Sequence, residues 1–308
     1  AVGAALFEDP ALKINDESAP PEVLWFLGRR GVEAYDKLSA IPAVSQAFPE
    51  AGTYILRDAD LYLLFNTSSS GVNGRGSHGH NDALSLEISA GGTPFLVDPG
   101  TYIYSADWDE RHRFRSTAYH STVIVDEAEQ NTTDPNLPFV IGDDASPRVI
   151  SCDFTLERDL VVAEHHGYAR LSDPVIHRRT VEFNKVDRYW LVSDTMTGAG
   201  RHQFDLYFHF APKLQVELVD SSAVRARDED TCNALLIIAL EEIDVPTLEP
   251  RFSSRDYGTK SPSIAARWST TTDAPIIQRF AILPIGTNDD EASRRSVIDG
   301  LRLDTPTP

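Results

Sequence analysis

Short runs in which every second residue is apolar begin near Gly52 and recur along the rest of the chain. The clearest run lies between Gln203 and Phe210, where phenylalanine or leucine occupies each alternate position from Phe204 onward. Because successive side chains of a strand point to opposite faces, this period of two predicts a strand with one face in the core and the other in solvent. The pattern constrains the chain to a fold built mainly from strands.

Similar runs, broken by Gly, Pro and Asp, predict further strands at residues 53–56, 61–65, 85–89, 122–125, 160–164, 175–183, 189–194, 234–240 and 276–283. Only four residues, 57–60, separate the first two runs, a spacing typical of a hairpin. Almost nothing after Pro49 has a helical pattern. Regular strands with turns of this kind favour a large antiparallel β-sandwich over a parallel sheet. We therefore expect an all-β domain over residues 49–308.

The first 48 residues have a different, helical character. Residues 22–27 follow two prolines and end at Gly28, as a short helix with a glycine stop would. We interpret residues 1–48 as a helical tail plus a linker. The chain begins with Ala1 and its single methionine, Met196, is internal, so we expect it to be a piece of a longer protein.

Charge and cysteine content narrow the classes of partner. Lys and Arg total 28 against 47 Asp and Glu, a net charge of −19, which opposes attraction of nucleic acid or of densely sulfated glycans. No run approaches the ~20 apolar residues that cross a bilayer. We expect no nucleic-acid partner and no membrane span. Cys152 and Cys232 are too few for a disulfide framework, which leaves one disulfide or two buried thiols open.

Two histidines separated by one glycine, His78 and His80, predict a binding site. If the chain is extended here, both imidazoles project to the same side, and Gly79 adds no bulk against whatever they hold. Asp98 closes the apolar run 94–97, and His120 lies just before the apolar run that starts at Val123. Two histidines and one carboxylate form a reasonable zinc-binding set.

Three segments carry a resemblance to a known family. Residues 77–85 contain Ser-His-Gly-His-Asn-Asp, residues 97–102 contain Asp-Pro-Gly-Thr, and residues 115–126 contain Arg-Ser-Thr-Ala-Tyr-His. In this order they resemble the C-terminal β-domain of the heparinase II/III-like polysaccharide lyases. The resemblance implies a β-sandwich of the super-sandwich type, with zinc bound by His80, Asp98 and His120 and with His78 as the catalytic residue that faces the substrate.

The same resemblance implies a missing half of the active site. In this family an N-terminal α/α toroid supplies the catalytic tyrosine and a residue that neutralises the uronate carboxylate, and no comparable helical domain precedes residue 74 here. The implied activity is β-elimination in a uronic-acid-containing polysaccharide, weak or absent in the isolated chain. The implied partners are an anionic polysaccharide or oligosaccharide and the toroid of the same polypeptide, in a bacterial periplasm or outside the cell. Ser121 stands where the family usually has asparagine.

The resemblance also directs attention to residues that could hold a uronate. Arg111 and Arg115 belong to a local basic cluster in an acidic chain, and guanidinium groups form bidentate bonds with carboxylates. Arg75 lies in the nearby glycine-rich segment. Tyr102, like the neighbouring Tyr104, can stack on a sugar ring or pack in the core. We predict Arg75, Arg111, Arg115 and Tyr102 as substrate-binding residues.

Two other functions stay open at this point. A non-catalytic module that binds polysaccharide, or that has a structural role in exopolysaccharide metabolism, is compatible with the same β-domain. The pair His80 and Asp82, with a later histidine, also matches the two-histidine, one-carboxylate triad of iron-dependent oxygenases. That interpretation leaves the segments around Asp98 and Arg115 unexplained, and so ranks below the lyase.

Overall fold

The computed structural model describes residues 1–13, 15–71 and 76–302. These residues form two compact units, one made of residues 1–44 and 57–59 and the other of the remaining residues. No helix within the described ranges has the length and apolar character needed to cross a membrane.

The N-terminal unit is a small helical pair, α1 (Val2–Phe7) and α2 (Pro21–Lys37). Its core contains Ala4, Ala5, Val23 and Tyr35. The predicted helix end at Gly28 is a kink instead, because Gly28 takes a positive φ of 64° and the helix then resumes as far as Lys37. Glycine adopts this conformation without the steric cost that a side chain would add.

The second unit is an antiparallel β-sandwich, as predicted. Its strands within the described residues are β1 (Gln46–Phe48), β2 (Thr53–Asp58), β3 (Leu61–Asn66), β4 (Leu86–Ala90), β5 (Thr93–Leu96), β6 (Val123–Val125), β7 (Arg148–Phe154), β8 (Arg158–His165), β9 (Val175–Asn184), β10 (Tyr189–Gly198), β11 (Arg201–His209), β12 (Gln215–Asp220), β13 (Ala223–Arg227), β14 (Ala234–Ala239), β15 (Thr247–Asp256), β16 (Thr259–Asp273) and β17 (Ile276–Ile285).

These strands form three sheets around one core. The first has the order β1-β2-β3-β4-β5, the second β12-β13-β14-β17-β10-β9-β8-β7, and the third β15-β16-β11-β6. An antiparallel bridge between Leu96 and Phe210 joins the first sheet to the third. Apolar residues from all three sheets form a single buried cluster that includes Phe65, Phe208 and Trp190. Burial of this large apolar surface is the main stabilising term of the domain.

Strand β11 differs from its prediction in one respect. The expected inward residues from Phe204 to Phe210 are buried, but Asp205, Tyr207 and His209 on the opposite face are buried as well. The Nε2 atom of His209 lies 3.0 Å from the carbonyl oxygen of Ala118, so the segment before β6 covers this face. A strand covered on both sides cannot show a solvated face, whatever the polarity of its residues.

Two short helices interrupt the β-domain, α3 (Trp108–Phe114) and α4 (Glu291–Ser296), so α-helix is rare among the described residues after Pro49, as predicted. Asp107 caps α3 by accepting a hydrogen bond from the Glu110 N–H, which is the usual role of aspartate at a helix start. Cys152 and Cys232 are free and exposed, so both alternatives predicted for them, a disulfide and buried thiols, are wrong.

Candidate functional site

Three loops at the edges of the sheets bring two histidines and one aspartate together. His80 precedes β4, Asp98 follows β5, and His120 comes directly after a 3₁₀ turn at Thr117–Tyr119. Each residue offers one ligand atom, and these atoms lie within 4.8 Å of one another. The sequence predicted this set, and the fold places its members side by side although they are far apart in the chain.

Two distances within this triad suit a small metal ion. His120 Nε2 lies 3.2 Å from His80 Nδ1 and 3.3 Å from Asp98 Oδ2. Zinc ligands at about 2.0–2.1 Å in a tetrahedron are separated by about 3.3 Å. The two distances therefore match the edges of such a tetrahedron. Two imidazoles and a carboxylate are donors that zinc prefers, although ferrous iron accepts the same types of ligand.

Neighbouring backbone groups orient two of the three ligands. His120 Nδ1 lies 2.7 Å from the carbonyl oxygen of Ser116, which can only accept, so Nδ1 carries a hydrogen and Nε2 faces the centre. Metal-binding histidines in proteins are commonly fixed in this way. Asp98 Oδ1 accepts a hydrogen bond from the Gly100 N–H at 2.7 Å, which leaves Oδ2 for the centre.

His80 has a competing partner. Its Nε2 atom lies 3.2 Å from Nη1 of Arg111, a group that only donates, so Nε2 must accept and the ring hydrogen lies on Nδ1. A metal at Nδ1 requires the opposite arrangement, with the hydrogen on Nε2. The contact with Arg111, which also donates to the Ser77 carbonyl at 3.0 Å, therefore opposes a metal at Nδ1 of His80 in this arrangement of the side chains.

The three side chains of the triad shift one another's pKa values. Burial disfavours the charged form of His120, but the hydrogen bond and charge of Asp98 outweigh that cost and raise the pKa of His120 to about 8. Against burial, the same interaction lowers the pKa of Asp98 to about 2. Burial and the charge of His120 lower the pKa of His80 to about 3. The shifts of His120 and Asp98 together indicate an attractive interaction between these two side chains, while His80 is neutral.

The triad opens onto an acidic cleft of about 440 Å³, lined also by His78, Asp82 and Glu87. Burial, assisted by the charge of Asp98 and opposed by that of His120, raises the pKa of Asp82 to about 6. Burial and Asp98 also raise the pKa of Glu87. This clustering of acids favours a cation in the cleft. Asp98, not Asp82, belongs with His80 and His120 to the candidate metal-ligand group found among the described residues.

His78 does not share a face with His80 as an extended chain would require. The Gly79 N–H donates to the Gly76 carbonyl at 3.2 Å and closes a turn. A Cβ on Gly76 would lie 1.6 Å from a side-chain carbon of Ile141, so this turn needs glycine at its start. The extended geometry assumed from the sequence is therefore wrong, and the turn directs the two imidazoles to different surroundings, with His78 exposed and His80 buried.

The partner of His78 is Tyr104. Its hydroxyl lies 3.0 Å from His78 Nδ1, and the two rings meet edge to face. Tyr104 in turn stacks on Tyr257 with ring centroids 5.7 Å apart, and Phe139 lies on another side at 6.1 Å. The sequence leaves sugar stacking and core packing open for Tyr104, and it does not point to Tyr257 or Phe139, which come from distant loops and carry no local motif.

The predicted substrate-binding residues occupy varied places. Arg111 and Arg115 are buried, and Arg115 donates to the carbonyls of Pro138 and Val140. Tyr102 is partly buried against Phe114, with ring centroids 5.2 Å apart. Arg75 lies outside the described residues. In this structure the two buried arginines tie loops together, and a role of these residues toward substrate stays a prediction.

A buried arginine links the loops of both histidines of the candidate metal triad. Nη1 of Arg179 donates to the carbonyls of Leu84 and Ser121, each at 2.7 Å, and its other nitrogens form a bidentate pair with Asp194 at 2.7 and 2.9 Å. Ser121 follows His120, and Leu84 lies four residues after His80. Arg179 and His177 occupy inward positions of β9, where the alternation of a strand predicts apolar residues. Ionisable residues at such positions were the sequence signal that could have revealed this buried link.

Comparisons with known proteins agree with this fold. Residues 40–282 match the family model described as heparinase II/III-like, C-terminal. The heparan sulfate lyase HepC from Pedobacter heparinus has a TM-score of 0.70 at 18% identity over 94% of this chain and 42% of its own. The heparinase III BT4657 gene product gives 0.70 at 18% identity over 93% of this chain and 40% of its own.

A further structure described as heparinase III gives a TM-score of 0.66 at 18% identity, over 88% of this chain and 44% of its own. At these identities the likeness shows the fold alone. The chain spans less than half the length of each of these solved proteins. No curated protein matches the sequence significantly.

Proposed function

Since the chain belongs to the heparinase II/III-like C-terminal domain family, we propose that it is the zinc-containing β-domain of a lyase that cleaves uronic-acid-containing polysaccharide by β-elimination. The observation that carries this proposal is the exposed His78, hydrogen-bonded to Tyr104 at the mouth of the cleft that holds His80, Asp98 and His120. The bound zinc would fix the mutual position of the three loops that shape this cleft.

β-Elimination requires three acts at the uronate. A base takes the C5 proton, charge spreads onto the carboxylate, and the C4–O bond breaks as the C4–C5 double bond forms and the departing oxygen gains a proton. Nδ1 of His78 is held by Tyr104, so Nε2 is the ring atom that remains for the substrate. If Tyr104 donates, Nε2 carries a hydrogen for the carboxylate; if Tyr104 accepts, Nε2 can take the C5 proton.

The rest of the acid–base chemistry would come from a helical toroid domain of the same polypeptide. Large apolar side chains on the N-terminal helices support this, because Trp25 is 85% and Phe26 77% exposed, as expected of surfaces that pack against further helices. The isolated chain would then hold half an active site and turn over slowly or not at all.

The test compares His78→Ala with a matched control, His166→Ala, in the longest natural form of the polypeptide. His166 is partly exposed and pairs with Glu164, away from the cleft residues. Acidic, weakly sulfated polyuronates come first, because a net charge of −19 suits densely sulfated chains poorly. Ultraviolet absorbance follows the unsaturated uronate. We expect His78→Ala to lose about 100-fold or more of the rate and His166→Ala to keep it.

Undiminished activity of His78→Ala would contradict the assignment. Binding of acidic polysaccharide without any unsaturated product from the wild-type protein would favour the alternative, a non-catalytic polysaccharide-binding module.

A further inference from the structure

A second cleft, of about 590 Å³, is also lined by Asp98. Its lining includes Val97 and Asp98, Lys213, and the hairpin residues Ser253, Arg255 and Ser261. Asp98 also lines the cleft of His78, so the two clefts share one lining residue. We call this second space the Lys213 cleft.

The walls of the Lys213 cleft are held by backbone contacts. The Val97 N–H donates to the His209 carbonyl at 3.1 Å, which joins the end of β5 to the end of β11. The Ser254 N–H donates to the Pro99 carbonyl at 2.7 Å, which docks the β15–β16 hairpin on the loop after Asp98. Gly100 has a φ of 79°, and a Cβ there would lie 2.0 Å from the Ser254 carbonyl oxygen, so the close approach depends on glycine.

Most cations near this hairpin are already neutralised. Lys260 and Arg113 both pair with Glu110, and Arg251 and Arg267 both pair with Glu249. Their charges are unavailable to an anionic ligand without breaking an ion pair.

Lys213 and Arg255 differ from that set. Both side chains are exposed at the Lys213 cleft, and neither forms a side-chain hydrogen bond or an ion pair with any residue in the described ranges. Lys213 also has a φ of 73°, a left-handed conformation that costs a residue with a side chain about 1 kcal/mol or more. In a chain of net charge −19, these two unneutralised cations outnumber Asp98, the acidic residue in the lining of the same cleft.

We propose that the Lys213 cleft is a subsite for an oxyanion, a carboxylate or sulfate, on a sugar residue of the polysaccharide, bound by Lys213 and Arg255 beside the site of His78. The serine hydroxyls of the hairpin supply neutral hydrogen bonds to the same sugar. This inference rests on the proposed function and assigns the place where the acidic group of its substrate binds. The acids around His78 repel further negative charge, so the unpaired cations beyond Asp98 are the better place for it.

The test measures binding by calorimetry in the chain as it stands. The probes are a glucuronate oligosaccharide, an N-sulfated oligosaccharide of equal length, and inorganic sulfate. The variant is Lys213→Gly with Arg255→Gln, in which glycine suits the left-handed backbone and should leave the unfolding midpoint unchanged or higher. Arg227→Gln, an exposed cation on β13 outside the cleft lining, is the matched control.

We expect the double variant to bind the oligosaccharide that carries the preferred anion with an affinity lower by about tenfold or more. Its affinity should also depend less steeply on salt concentration. The control should bind within about twofold of the wild-type affinity. Wild-type affinity in the double variant, with His78→Ala inactive in the lyase assay, would overturn the subsite alone. If the folded wild-type chain binds neither oligosaccharide, both the subsite and the proposed function are overturned. Binding of sulfate as tight as that of the oligosaccharides would identify a free-anion site and contradict a saccharide subsite.

Discussion

The Nδ1 atom of His78 lies 3.0 Å from the hydroxyl oxygen of Tyr104. His80, only two residues away, has a different partner, because its Nδ1 atom lies 3.2 Å from Nε2 of His120. One imidazole is exposed beside an aromatic group, and the other is buried in a group of metal-ligand type.

Removal of the metal should lower thermal stability. His80, Asp98 and His120 lie on three separate loops, so an ion that binds them stabilises only the folded arrangement. At saturation near 100 times the dissociation constant, the expected loss on chelation is about 2.7 kcal/mol, or on the order of 5 °C in midpoint. Melting scans with and without chelator measure it. His80→Ala is the control, since its midpoint should not respond to chelator.

Arg179→Lys should weaken metal binding more than Arg178→Lys. Lysine keeps a positive charge near Asp194 but cannot also reach the carbonyls of Leu84 and Ser121 that arginine holds. Arg178 is the next residue on β9 and pairs with Glu164 on the opposite face. We expect Arg179→Lys to lose about 1–3 kcal/mol of unfolding free energy and roughly tenfold in metal affinity.

Competition against a chromophoric chelator measures that affinity, at a temperature where urea titration shows both variants folded. Equal metal affinity in the two variants would show that Arg179 does not position the histidine loops.

Asp194 should make the fold sensitive to acid. Burial would raise the pKa of this carboxyl, but the charge of Arg179 and the hydrogen bond from His177 outweigh it and lower the pKa to about 2. A group with a depressed folded pKa contributes stability that is complete above its unfolded pKa near 3.9 and is lost as pH falls toward 2. The expected loss over that window is on the order of 2 kcal/mol.

Unfolding free energies from denaturant titration, measured between pH 6 and 2, test this in wild type, Asp194→Asn and the exposed control Asp153→Asn. The gap between wild type and Asp194→Asn should narrow as pH falls, and the control should track wild type. A gap independent of pH would contradict the assignment.

The strands could be predicted because their evidence is local. Alternation in residues such as 204–210 is visible in sequence, and the hairpin between β2 and β3 is set by the short stretch around Asp58. The burial of both faces of β11 could not be predicted, because the covering segment around Ala118 comes from elsewhere in the chain.

The metal triad was predictable only through the motifs that surround it. Composition and spacing alone do not show that the loops of His80, Asp98 and His120 converge. Arg115 illustrates the opposite case, since a basic cluster predicts a solvated or ligand-facing side chain. Its burial depends on the carbonyls of Pro138 and Val140, which no pattern near Arg115 reveals.

The most direct test of the central claim is the zinc content of three proteins purified without chelator: wild type, His80→Ala and His78→Ala. We predict about one zinc per molecule in wild type and in His78→Ala, and background metal in His80→Ala, because His80 belongs to the ligand triad and His78 faces the cleft beside Tyr104. Background zinc in the wild-type protein, iron in its place, full occupancy in His80→Ala, or loss of zinc in His78→Ala would contradict the account.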